Sequence, residues 1–347
     1  MQFVSLIGLL VLFLLAWSMS YHRTKVKVKP ILLGTGLQMI LAMIILTEDF
    51  RSFLGMGLLA SILIVYILRE EKHAPGMLNH VVHVAGAIMV GAVFYVAGGR
   101  GLYFGIIAGL CALAMFGNKW WKKPLLNTYA GAALVVVGTT YLIRFQVYGR
   151  EIFTVFSDNV KSFLALANYG SEFLFGFQWF ANGNEMFPGF NVQFAFSVLP
   201  TIIFFGGFMS VMYYLGVVQV IISALSRFMS WGVGTSGSES LSCSANIFVG
   251  QTEAPLLVKP YLAEMTRSEL LTIMVGGFAT IAGGVLAGYI QFGVNAGHLI
   301  AASVMSAPAA LVMAKIIYPE LEKSKTSGDV EMPHVVVGDN ILDAASN

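Results

Sequence analysis

The sequence predicts an all-α polytopic membrane protein, with about nine transmembrane helices, an interfacial helix and one re-entrant helical hairpin. Three observations carry that prediction. Hydrophobic residues make up 57% of the 347 and charged residues only 11%, too few to cover a soluble surface. Apolar stretches long enough to cross a bilayer recur along the chain. One polar segment around Gly250, rich in Gly, Ser and Pro, interrupts them yet is too apolar to be a solvated loop.

Residues 1–145 hold spanning stretches at about 2–19, 31–48, 52–68, 81–97, 101–117 and 127–143. Met1 to Leu15 has no basic start and no A-x-A cleavage pattern follows, so the first stretch is expected to be a retained span rather than a signal peptide. Residues 146–234 begin with an amphipathic segment, Glu151 to Phe175, whose Ile152, Val155, Phe156, Val160, Phe163 and Leu164 recur at helical spacing. This is the expected interfacial helix. A charge-free run from Asn191 to Ser226 supplies the next span, and a second amphipathic helix, Val217–Gly234, is expected along the inner face. Residues 235–317 contain the hairpin and two passes within the charge-free run Leu270–Ala314. The polar tail, 318–347, is expected to be a cytoplasmic loop or a disordered end.

With the loops at 20–30, 69–80, 118–126 and 217–267 and the end of the chain from about 315 placed inside, 15 of the 20 basic residues are cytoplasmic; Arg51, Arg100, Arg144, Arg150 and Lys161 are the remainder. The N-terminus is therefore expected to be extracytoplasmic, in a cell or inner membrane. The net charge of +2 on so few charges gives no basic patch for phosphates, so the expected surroundings are the lipid bilayer and no nucleic acid. Cys111 and Cys243 lack CxxC spacing and predict neither a disulfide framework nor a zinc site.

The segment Thr235 to Leu262 reads as the re-entrant hairpin. Backbone that leaves the helix at membrane depth is tolerated only where it is buried in protein or lines a water-filled cavity. Gly250-Gln251-Thr252 is the expected break, and Pro255 suits the first turn of the returning arm. Glu253 is the leading candidate for ligand contact, because a carboxylate in an apolar segment is costly without a partner, an ion or a substrate. An ionised Glu accepts hydrogen bonds from hydroxyls, while the Gln251 amide both donates and accepts. Pairing of Glu253 with Lys259, or a place at the water boundary, stands as the structural alternative. Glu239 divides between a helix cap and a substrate role.

Gly250-Gln-Thr-Glu-Ala-Pro-Leu-Leu-Val-Lys-Pro-Tyr-Leu262, preceded by Gly237-Ser-Glu-Ser-Leu241 and Ala245-Asn-Ile-Phe-Val249, resembles the first re-entrant hairpin of the concentrative nucleoside transporters. The likeness runs from about Ile152 to Ala345 and includes Pro200-Thr-Ile-Ile-Phe-Phe-Gly-Gly207, Met265-Thr-Arg-Ser-Glu-Leu270, Gly276-Gly-Phe-Ala-Thr-Ile-Ala-Gly-Gly284 and Ser306-Ala-Pro-Ala-Ala-Leu311. Residues 1–48 are similar more loosely, and 50–145 look like extra spans. The resemblance implies inward nucleoside uptake by cation symport, no covalent chemistry and no cofactor beyond a coupling ion, and a homotrimer. It implies nucleoside contacts at Gly250, Gln251, Thr252 and Glu253, with Val285 lining the pocket. It also implies a Na⁺ site from the Asn246 amide, the Thr280 hydroxyl and the carbonyls of Val249 and Ile281; oxygen ligands from a side chain and unwound backbone suit a hard cation.

The family's second half, with its own hairpin and an Asn-Glu-Phe-Val-Ala core, is not found. The expectation is a truncated chain or a remainder supplied by a separate polypeptide, and a non-transporting remnant or assembly partner is the alternative to a working symporter. Helix–helix hydrogen bonding is the structural alternative for Asn246 and Thr280 individually, and a protonated Glu253 leaves H⁺ coupling open beside Na⁺.

Other signals carry less. Gly232-Val-Gly-Thr-Ser-Gly237 satisfies GxGxxG but has no strand before it, and reads as the entry to the hairpin. His80 and His83 lack a third ligand; Trp120 and Trp121 beside Lys119, Lys122 and Lys123 read as interfacial anchors; His298 divides between packing and proton relay. No nucleophile and base are paired in the sequence, so an enzyme is not expected. A reporter fused in the Arg23–Lys29 loop is expected to read as cytoplasmic and one fused at Glu48–Asp49 as extracytoplasmic; the reverse pattern would overturn the orientation.

Overall fold

The computed structural model describes residues 2–69, 86, 88–92, 106–111, 124–176, 194–326, 328, 330 and 340–346. The described residues form helices and turns, with no strand among them. They include five helices long and apolar enough to cross a membrane: Val28–Leu46, Phe50–Leu68, Phe194–Tyr214, Arg267–Gln291 and Ala296–Ile317. The expected spans at 81–97 and 101–117 lie largely outside the described residues, as do His80, His83 and the Trp120/Trp121 cluster; helical turns stand at 88–92 and 106–111. The chain divides into two compact units, Met39–Thr154 on one hand and Met1–Gln38 with Val155–Asn347 on the other.

In the unit Met39–Thr154, α1 (Gln2–Ser18) has no part, α2 (Val28–Leu46) contributes its end, and α3 (Phe50–Leu68) and α4 (Pro124–Arg144) pack together. Asp49 starts α3 by accepting a hydrogen bond from the Arg51 amide at 3.0 Å, satisfying one of the donors that a helix start leaves free. Ile64 and Leu68 meet Ala132 and Val136, one turn apart on each helix. Ser52 clips three segments: its hydroxyl donates to the Ile44 carbonyl (3.2 Å) and accepts from the Gly149 amide (3.1 Å).

The other unit is built around α12 (Ala296–Ile317), which contains Pro308. Here α1 lies along its end, with Phe13 and Ala16 against Val312 and Ile316. The interfacial segment forms α5 (Gly149–Leu164) and α6 (Leu166–Phe175). Its face splits: Leu164 is buried with Val160 and Phe163 beside it, while Ile152, Val155 and Phe156 are exposed. A π-helical turn, Phe194–Val198, leads into α7 (Leu199–Tyr214), and α8 (Val217–Val233) follows. Left-handed glycines bound α8 at Gly216 (φ 78°) and Gly234 (φ 79°), a conformation other residues adopt only with strain. The GxGxxG string is thus the helix-to-helix connector into the hairpin.

The hairpin consists of α9 (Gly237–Ala245), a non-regular tip, and a returning 3₁₀ arm, Ala254–Glu264. Pro255 lies in the first turn of the arm and Pro260 inside it; neither has an N–H to give, which removes α-helical bonds from the arm. It is followed by a second broken element: α10 (Arg267–Ala279) stops at Thr280, whose backbone is extended, and α11 (Gly283–Gln291) restarts after Ala282. His298 stands exposed in the first turn of α12, where Asn295 accepts from its amide, rather than in mid-span.

The tail differs from expectation. Its first part packs into the protein, with Thr326 only 5% exposed, and α13 (Ile341–Ser346) lies on α7, the Ala345 carbonyl meeting Gly207. Composition marks the tail as polar, but its hydroxyls are taken up by buried carboxylates described below.

Glycine sets the approach of the two broken elements. A Cβ at Gly283 would overlap the Phe248 carbonyl oxygen and lie 2.7 Å from the Phe205 ring. Gly283→Ala is therefore expected to cost about 2 kcal/mol by overpacking, read as a lower Tm of the purified protein. Gly284→Ala, whose Cβ would meet only Ile202 at 3.4 Å, is the control expected to change little.

Candidate functional site

The tip of the hairpin and the break between α10 and α11 face each other through small residues. A Cβ at Gly276 would stand 2.9 Å from Cys243 Sγ and 3.5 Å from Asn246 Nδ2; one at Gly277 would meet Gln251 at 3.2 Å; one at Gly250 would meet Ala282 at 3.1 Å. Four glycines on two segments thus let backbone meet backbone. The structure brings Asn246, Phe248 and Gly250 opposite the 276–283 stretch that carries Thr280 and Ile281.

Asn246 is fully buried, and neither its Oδ1 nor its Nδ2 has a hydrogen-bonding partner among the described residues. Leaving a buried amide unsatisfied costs about 1–3 kcal/mol per group, so such an arrangement calls for a ligand. Thr280 donates its hydroxyl proton to the Gly276 carbonyl at 2.9 Å, which directs its lone pairs elsewhere. Asn246 caps the C-terminus of α9 and Thr280 that of α10. Two helix C-termini, each the negative end of its dipole, therefore come together beside the unpartnered amide, an electrostatic setting that favours a cation. Among the described residues, no group of three His, Cys, Asp or Glu side chains could hold a metal ion. The donor set is one of neutral oxygens, suited to a monovalent hard cation.

On the outer side of the tip, Gln251, Thr252 and Glu253 are exposed. Gln251 and Thr252 line an open cleft with Pro255, Met274, Gly277 and Phe278. Glu253 folds back over the break, so that a Cβ at Gly250 would lie 2.5 Å from its Oε2, and Tyr213 of α7 packs against the buried core of the hairpin. Val285, on α11, is 46% exposed and is not among the residues lining that cleft. The tip presents an amide, a hydroxyl and a carboxylate on an apolar surface, able to recognise a ligand with both hydroxyls and an amide-like edge.

A second polar centre lies at the other end of α9. Ser236 and Glu239 form a capping pair there, with the Ser236 amide donating to Glu239 Oε1 at 2.7 Å; Thr266 and Glu269 repeat it at the start of α10, also at 2.7 Å. Glu239 and Glu269 are 1% and 0% exposed. Lys315 of α12 places Nζ 2.7 Å from Glu239 Oε2 and 3.6 Å from Glu320 Oε2, and donates to Ser268 at 2.9 Å. Glu269 Oε1 accepts from Ser324 (2.5 Å) and Thr326 (2.8 Å), and Thr326 also meets the Ser238 hydroxyl. For Glu239 the capping reading is the observed one.

These features define a polytopic helical membrane protein with a re-entrant hairpin docked on a broken helix. Family models match it in three consecutive parts: "Na+ dependent nucleoside transporter N-terminus" over residues 7–66, "Nucleoside recognition" over 195–296, and "Na+ dependent nucleoside transporter C-terminus" over 298–347. An uncharacterized transporter of Haemophilus influenzae is 44% identical over 239 residues, 68% of this chain and 55% of that protein. Sodium/nucleoside cotransporter 2 of Rattus norvegicus is 47% identical over 225 residues, 64% of this chain and 32% of that protein. The solved structure of CNTnw in an inward-facing substrate-bound state matches with 30% identity and a TM-score of 0.61, over 99% of this chain and 59% of that one. The chain belongs to the Na⁺-dependent, or concentrative, nucleoside transporter family. It spans about half the length of the Haemophilus relative and about a third of the rat one.

Tyr213 and the Lys315 centre were not singled out by motif. Tyr213 sits in an apolar run with no local signal, and Lys315 pairs with a carboxylate from another helix. Lys315→Met is expected to destabilise the protein by roughly 3–5 kcal/mol, because it leaves Glu239 buried without its counter-charge. The pair Lys315→Met with Glu239→Gln is expected to recover most of that loss; a thermal melt of the single and double variants checks it.

Proposed function

We propose that this chain binds Na⁺ and a nucleoside at the hairpin and carries, or contributes the hairpin side of, Na⁺-coupled inward nucleoside transport. The observation that supports this most is the buried Asn246 amide with no partner among the described residues, facing the break at Thr280 between two helix C-termini. In this reading Na⁺ takes Asn246 Oδ1, Thr280 Oγ1 and the carbonyls of Val249 and Ile281. Gln251, Thr252 and Glu253 meet the base and ribose of the nucleoside, Gly250 gives the turn that presents them, and Val285 packs at the rim. The Na⁺ and the substrate groups are only a few residues apart on one tip, so that filling the cation site orders the backbone that presents the substrate contacts. That shared backbone gives the coupling a physical basis.

The rat relative named above is a sodium/nucleoside cotransporter, and CNTnw has been solved in inward- and outward-facing states. By analogy the hairpin moves with its load against a scaffold, the protein is a homotrimer in a cell membrane, and no covalent chemistry takes part. The N-terminal end of α9 and the Lys315 centre face the cytoplasm, following the bias of basic residues.

The test is uptake of labelled uridine and adenosine by cells lacking their own nucleoside carriers, with and without a sodium gradient. Saturable, sodium-dependent uptake is expected. Glu253→Gln is expected to abolish it, whereas Asn246→Ala should raise the Na⁺ requirement by about tenfold or more, the effect of losing roughly 1.4 kcal/mol at the ion. No uptake from protein shown to be in the membrane would overturn autonomous transport by this chain.

A further inference from the structure

Asn246 is not alone on its face of α9. Ser242 lies one turn before it and Glu239 a further three residues back, so that the three side chains share one stripe of the helix. All three are buried. Ser242 Oγ, like both polar atoms of Asn246, has no hydrogen-bonding partner among the described residues. Glu239 Oε2 is instead paired with the Lys315 ammonium at 2.7 Å. A helix rises about 1.5 Å per residue, which puts successive oxygens of the stripe roughly 4.5–6 Å apart. The stripe ends at a cavity of about 170 Å³ at the foot of α9, lined by Lys27, Thr235, Ser236, Glu239, Lys315 and Glu320.

Unsatisfied hydroxyl and amide groups inside a core are costly, and an alanine at 242 would remove the cost without leaving a broken bond. The register of Ser242 between a cation site and a charged cavity gives the hydroxyl a use. We propose that this stripe is the path by which Na⁺ leaves the Asn246 site toward the cytoplasm, with Ser242 Oγ as the intermediate oxygen and Glu239 as the receiving carboxylate at the cavity.

Lys315 does not block the receiving end, because it stands between two carboxylates. It is 2.7 Å from Glu239 and 3.6 Å from Glu320, with Ser268 as a fixed acceptor, and can shift toward Glu320 when a cation arrives without losing its counter-charge. Until then its charge keeps Glu239 from holding the ion, so the exit is a point of passage and not a second resting site. The inference rests on the cation site proposed above and adds the route, the intermediate residue and the exchange at its end.

The experiment places a thiol at position 242. Ser242→Cys, in a chain also carrying Cys111→Ser and Cys243→Ser, is exposed in inside-out membrane vesicles to Ag⁺, a thiol-reactive cation close to Na⁺ in size. The protein is then unfolded and its remaining thiol counted with a maleimide. Ag⁺ is expected to block the thiol. With Na⁺ at about ten times its apparent constant the reaction should slow roughly tenfold, since a cation held at Asn246, about 6 Å from position 242, repels a second one in the buried stripe, while choline leaves it unchanged. Adding Asn246→Ala should remove the protection by Na⁺ but not the reaction with Ag⁺, and adding Glu239→Gln should slow the reaction itself.

A thiol that Ag⁺ never reaches in folded protein, or a reaction indifferent to Na⁺, overturns the route. Ser242→Ala in the otherwise native chain is the second arm: its Tm should match or exceed that of the native protein, and a fall of several degrees would show a structural hydroxyl and overturn the proposal. Failure here beside sodium-dependent uptake sinks the route alone; a Na⁺-protected thiol beside absent uptake keeps the route and sinks autonomous transport.

Discussion

The structure depends on one constraint: backbone that leaves its helix among apolar neighbours must find other partners or stay close to groups that will supply them. This chain breaks its helices twice, at 246–253 and at 280–282, and places the two breaks against each other. Gly250, Gly276, Gly277 and Gly283 make that possible, because a Cβ at any of them would push into the facing segment. Each break exposes the carbonyl end of one helix and the amide end of the next, so the junction holds both signs of helix dipole. The carbonyl ends suit a cation, and the tip beside them carries the polar side chains.

The two ends of α9 have opposite characters. At its C-terminus the polar groups lack partners; at its N-terminus they have several. Glu269 accepts four hydrogen bonds or more from Thr266, Ser324, Thr326 and the Ser236 side chain, and Glu239 has an amide and an ammonium. One end of the helix is therefore held and the other left open to a ligand. Only the open end can respond to what binds.

Much of this was legible in the sequence. The spans that fall on described residues sit where the apolar runs place them, since a bilayer-length run of apolar residues allows little else. The hairpin was legible because Gly250-Gln-Thr-Glu-Ala-Pro is polar where an ordinary span cannot be, and the Pro fixes where the returning arm begins. What could not be read is what depends on the facing element. Glu239 pairs with Lys315 and Glu269 with Ser324 and Thr326, partners that no local spacing marks. The tail illustrates the limit best: hydroxyls and charges in a polar stretch look solvated until the buried carboxylates that need them are placed. In the same way Val285 is on the expected helix, but its distance from the cleft of Gln251 and Thr252 is a matter of packing rather than of order along the chain.

The strap that follows α12 has a consequence for how the protein is made. Ser238, in the first turn of the hairpin, bonds to Thr326, 88 residues later, and the Gly237 amide gives its hydrogen bond to the Thr326 carbonyl at 3.0 Å. A ribosome delivers the hairpin long before it delivers these partners. Through that interval the two buried carboxylates have neither lysine nor hydroxyls to meet them, and the entry to the hairpin must stay near water. The entry to the hairpin therefore gains its fixed partners only once Lys315 and Thr326 have been made.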